Sequence, residues 1–149
     1  MCVVRAAAIG PFEGIYAWRE AGELCGQIHD LCALVSLRRD FDLCRQLKPS
    51  AVSAMTNIAE SFDCDSKRES ARFLGISLRS TEEVQSLLYV ALDVGHIDTA
   101  SFDRHYEQAR KTKALIGGFK RAVSGSASTT ISEPTSDLRP YFLSRLHLA

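Results

Sequence analysis

Apolar residues recur at alternating spacings of three and four along almost the whole first 124 positions, and that period constrains the fold more than any other feature. Alternation in twos, the mark of a half-buried strand, is nearly absent. The first such stretch, Gly14 to Val35, carries Trp18, Ala21, Cys25, Ile28, Cys32 and Val35, with Leu24, Leu31 and Leu34 widening the stripe. This is the seam of a bundle helix. After the connector Ser36 to Arg39, Asp40 is placed to cap a second helix, because its carboxylate can accept from the unpaired amides of the first turn.

The second helix is predicted over Phe41 to Phe62, with Cys44, Leu47, Ala51, Ala54, Ile58 and Phe62 inward. Pro49 lies inside it, so a kink near Arg45–Pro49, or a restart at Pro49, is expected. Ser66 and Glu69 then form a capping box. The third helix runs to about Val94, with Gly95 as its left-handed stop. It bears two apolar stripes. One is Phe73, Ile76, Val84, Leu87, Ala91 and Val94; the other is Leu74, Leu78, Leu88 and Leu92. An arc that wide must be covered on more than one side, by neighbouring helices or by another subunit. A fourth helix, capped by Asp98 or Thr99, spans Ala100 to Val123 with Phe102, Tyr106, Ala109, Ile116, Phe119 and Val123 inward.

The expected fold is therefore all-α, an antiparallel up-down-up-down four-helix bundle over residues 14–124, preceded by a lead at 1–13. The run Ser124 to Thr130 is rich in serine, glycine and threonine and reads as a linker, so 125–149 forms a linker and a short apolar C-terminal tail. The tail holds Leu138, Tyr141, Phe142, Leu146 and Leu148. With 46% hydrophobic residues, the chain can fill one core.

Composition bounds function mainly by exclusion. Eighteen basic residues balance eighteen acidic ones, which argues against a strongly basic nucleic-acid binder. No apolar run approaches the roughly 18 residues of a membrane span. The five cysteines are odd in number, lack a CxxC pair and fall partly on apolar helical positions, the usage of a reducing cytoplasmic setting. His29, His96, His105 and His147 do not pair at ligand spacing, and no phosphate loop or nucleophile elbow is present, so no metal, cofactor or catalytic residue is expected.

Three constellations remain. Ser53, Asn57 and Glu60 share one face of the second helix, and Ser80 and Glu83 share one face of the third; together they suggest a structural polar network. Leu74, Leu78, Leu88, Tyr141 and Phe142 are the candidate oligomer contacts. Residues 99–124 hold six cations against Asp103 and Glu107; with the start of the third helix they offer Lys67, Arg68, Arg110, Lys113, Lys120 and Arg121 for phosphate contact. The plainer reading of these charges is a solvated helix face.

The stretch Gln46 to Glu60, QLKPSAVSAMTNIAE, and the segment Ser66 to Asp98 resemble the bacterial four-helix bundle family of the 23S rRNA intervening-sequence proteins and the accessory variability determinant of diversity-generating retroelements. The likeness covers about residues 12–124, opening on Phe12 to Trp18. It is sharpest at Ser53, Asn57 to Glu60, Phe73-Leu74, Ser80 and Glu83. The pattern departs at Pro49, where a second basic residue is usual, and at Ser61 and Arg79, where glycine is common. The resemblance implies a left-handed bundle that assembles into rings, commonly pentamers, some of which bind nucleic acid. The balanced charge and the missing basic residue count against that last role. The expectation is a non-enzymatic, homo-oligomeric scaffold, with nucleic acid or a nucleic-acid-associated protein as the alternative partner.

Overall fold

The computed structural model describes residues 12–125, which form four helices: α1 (Tyr16–Ala33), α2 (Phe41–Phe62), α3 (Lys67–Asp93) and α4 (Thr99–Ser124). Each packs on its two neighbours in a closed square, α1 on α2, α2 on α3, α3 on α4 and α4 back on α1. The α1–α2 and α3–α4 connections share one pole, because His96 Nε2 and Asp40 Oδ2 meet across it at 3.0 Å. The α2–α3 turn lies at the other pole, with the end of α4. The predicted tail, with Tyr141 and Phe142, lies outside the described residues.

The caps follow the sequence closely. Asp40 Oδ1 accepts from Leu43 N at 3.0 Å, Ser66 Oγ from Glu69 N at 3.2 Å, and Asp98 Oδ1 from Ser101 N at 2.8 Å. Gly95 takes φ 77°, the left-handed conformation that spares only glycine a Cβ clash. Only α1 lacks a side-chain cap, and it is shorter than its apolar period suggests: Leu34 is already extended and Val35 is exposed.

Of the two alternatives at Pro49, the restart does not occur: α2 is unbroken through the proline. The proline is exposed, so the hydrogen bond it removes falls on the solvent side of the helix. In α1 the buried line is Ala17, Ala21, Leu24, Ile28, Leu31 and Cys32, rotated away from Cys25 and Val35.

The core divides in two. Leu24, Ile28, Leu31, Leu37, Leu47, Val84, Leu88 and Phe102 fill the His96 pole. Ala17, Ala21, Ile58, Leu74 and Ile116 fill the other. Between the two poles, all four helices present small, fully buried side chains: Ala21, Ala51, Ala54, Ser77, Thr81, Ala109 and Thr112. Ser77 Oγ donates to the Ala54 carbonyl at 2.5 Å, so α2 and α3 approach closely at this waist. Each fully buried leucine contributes on the order of 2 kcal/mol.

Candidate interaction surfaces

Ser53 and Asn57 stand one turn apart on α2, facing Ser80 of α3. The Ser53 and Ser80 hydroxyls lie 2.7 Å apart, and Asn57 Nδ2 donates to the Ser53 carbonyl at 2.8 Å and to its hydroxyl at 3.1 Å. This is the core of the predicted network. Glu60 and Glu83 do not join it: both are exposed and make no side-chain hydrogen bond with it. A carboxylate there keeps its hydration, which a buried site would remove. The cluster consists of hydroxyls and one amide, so it fixes the spacing of α2 and α3 and holds no base that would activate a hydroxyl.

The candidate oligomer contacts divide. Leu74 and Leu88 are 0% exposed, part of the bundle's own core, and cannot reach a second subunit. Leu78 is half-buried against the core at the Ile116 end. A different line of α3 is only partly covered: Phe73, Ile76, Glu83, Leu87, Val90 and Val94 lie along one side of the helix, with the buried Ser80 between them. Val90 and Val94 are 44% and 57% exposed, and Phe73, Ile76 and Leu87 are half-covered. The Ser53–Ser80–Asn57 cluster sits midway along this line. A second group of exposed apolar side chains, Leu34, Val35 and Phe41, lies at the α1–α2 corner.

The candidate phosphate contacts also divide. Arg110 is forked onto Glu107 at 2.8 and 2.6 Å, which holds the Glu107 carboxyl below its ordinary pKa and raises the guanidinium's. Lys113 Nζ lies 2.9 Å from Glu82. Lys67, Arg68, Lys120 and Arg121 have no ion-pair partner among the described residues. The antiparallel packing of α3 and α4 brings these four to the same pole, a grouping the linear sequence does not display.

Sequence reasoning missed two polar links between distant segments. Glu20, with its side chain 14% exposed, receives Gln108 Nε2 at 2.9 Å and pairs with Lys111 at 3.0 Å. Burial pushes its pKa up, but the bonds from Gln108 and Lys111 outweigh that and hold it below the ordinary value. The other link is His96 with Asp40, in a shallow depression lined by Arg39, Phe41, Asp42 and Arg45. The only signal in sequence for either is a polar residue at an inward or capping position, which does not name its partner. Among the described residues no three of His, Cys, Asp or Glu group as metal ligands, and no helix is long and apolar enough to cross a membrane.

A family model described as 23S rRNA-intervening sequence protein matches residues 13–118. Among solved structures, a protein with unknown function from the S23 ribosomal protein family of Bacteroides thetaiotaomicron VPI-5482 superposes with a TM-score of 0.67. The two are 19% identical, and the match covers 70% of this chain and 98% of that one, a likeness of fold. No curated protein matches the chain.

Proposed function

The chain belongs to the 23S rRNA-intervening sequence protein family, and from that premise we propose that it is a non-enzymatic subunit of a homo-oligomeric helical scaffold that closes into a ring. The observation that carries this is the outward side of α3. A helix that already buries Leu74, Val84, Leu88 and Ala91 inside its own bundle also presents Val90 and Val94 to solvent. Apolar surface of this kind, aligned along one helix and interrupted by a polar cluster, fits a partner helix better than it fits water.

Ser53, Asn57, Phe73, Ser80 and Glu83, five of the positions on which the family resemblance rests, lie on or beside this line, while Ile58 and Leu74 lie in the core. A second copy is therefore the simplest occupant. Repeating one such contact around a closed rotation generates a ring, and the resemblance sets the expected size at five. A reducing, cytoplasmic setting agrees with Cys25, Cys32, Cys44 and Cys64 being free thiols. Native mass spectrometry of the full chain should return about five times the 16.4 kDa subunit mass. A monomer at micromolar concentration overturns the assignment.

A second reading, contact with nucleic-acid phosphates, has the gathering of Lys67, Arg68, Lys120 and Arg121 at one pole in its favour. Titration with RNA and DNA at low and high salt tests it. Binding should weaken steeply with salt, and no binding at low salt rejects it.

A further inference from the structure

Along the α3–α4 groove at this pole, one position lacks a side chain where two cations converge. Gly75 is buried, and a Cβ there would lie 3.3 Å from Lys120 Nζ and 3.8 Å from Arg79 Nη1. One residue on from Lys120, the Arg121 guanidinium lies over Gly117 and Gly118. Among the described residues no carboxylate pairs with Arg79, Lys120 or Arg121, while Glu82 on the same pair of helices is held by Lys113.

Two like charges drawn to one point repel, and half-covered lysine loses part of the hydration that would screen it. The arrangement becomes favourable when an anion sits between them. The missing Cβ lets the Lys120 ammonium settle against the helix beside Arg79, so the two donors stand side by side. An arginine fork beside a lysine point charge suits the several acceptor oxygens of a phosphate group better than a single carboxylate.

We propose that the notch over Gly75 is a phosphate-binding site, with Arg79 and Lys120 as its ligands and Arg121 at its rim. The ligand is a phosphate group carried either on a free polyphosphate or on a nucleic-acid backbone. The site deepens the nucleic-acid reading and rests on it only for the source of that phosphate.

The test is calorimetric titration of the full chain with inorganic tripolyphosphate and, separately, with a single-stranded RNA oligonucleotide, both at low salt. Arg79→Ala and Lys120→Ala should each weaken binding about tenfold. Gly75→Asp places a carboxylate between the cations and should abolish it, with circular dichroism reporting an intact helix content. Arg45→Ala, at the opposite pole, should leave it unchanged. Loss of tripolyphosphate binding in these variants, with RNA not bound at all, supports the notch and rejects the nucleic-acid reading. RNA binding that all three notch variants leave untouched does the reverse. Binding of both probes, lost together, supports both. Wild-type protein that binds neither probe overturns the notch.

Discussion

Asp40 does two things at one pole of the bundle. One carboxylate oxygen caps α2 through Leu43 N, and the other meets His96, 56 residues further along the chain. The cap was legible because capping is local: an aspartate before an apolar helical run has few other uses. The histidine was not, because nothing in the sequence ties a loop residue to one across the pole. Both contacts favour the ionised form, the Leu43 amide more than the imidazole, and hold the Asp40 pKa below its ordinary value of 3.8. A carboxylate depressed in the folded state stabilises the fold fully above its unfolded pKa, and that contribution drains away as pH falls through the folded one. Asp40→Asn keeps a capping side chain and removes the charge. In thermal melts from neutral pH downward, wild type should exceed the variant at neutral pH, and the gap should close below about pH 4. A gap that stays constant into acid would mean that the carboxylate charge is not its source.

The helices themselves were legible because each carries its own period and its own stop. What periodicity alone does not set is rotation. In α1, Leu24 and Leu31 turn in where Cys25 and Val35 were expected, since an apolar arc wider than the buried stripe allows more than one seating. In α3 the inward face is half polar, with Ser70, Ser77, Ser80 and Thr81 all buried. Hydroxyls on a helix can satisfy themselves on backbone carbonyls, as Thr81 does on Ser77 at 2.9 Å, so they pass as small core residues where a hydrophobic count reads solvent. Pro49 is the element-scale case where a local rule is broken without breaking the helix. An interior proline is about 3 kcal/mol less favourable than alanine, and part of that is offset by the stiffer unfolded chain that proline gives. Because Pro49 is exposed, Pro49→Ala costs no packing and should restore one backbone hydrogen bond. We expect about 2 kcal/mol of added stability, seen as a rise of several degrees in melting temperature. A lower melting temperature would show that the proline holds α2 in a shape the bundle needs.

For the molecule as a whole, packing brings cations from the start of α3 and the end of α4 to one pole, beside the α2–α3 turn that carries Asp63 and Asp65. The breadth of α3's apolar surface was also visible in sequence, and it implied a second covering layer. Which apolar residues belong to that layer was not visible, because Leu88 and Val90 both continue the apolar run and only packing buries the one and exposes the other. This distinction gives the assembly a test that a simple loss of stability cannot imitate. Val90 and Val94 are largely exposed in the subunit, so Val90→Glu with Val94→Glu should change subunit stability by less than about 0.5 kcal/mol each. In an interface the same carboxylates would be buried without partners, at a cost of several kcal/mol per contact. The double variant should therefore keep its helix content and run at 16.4 kDa. Leu88→Ala should do the opposite, costing about 2–5 kcal/mol of folding stability while the molecules that remain folded still assemble. If instead the double glutamate variant keeps the wild-type mass, the outward side of α3 is not the contact. Assembly would then have to run through another surface, such as the Leu34, Val35 and Phe41 corner.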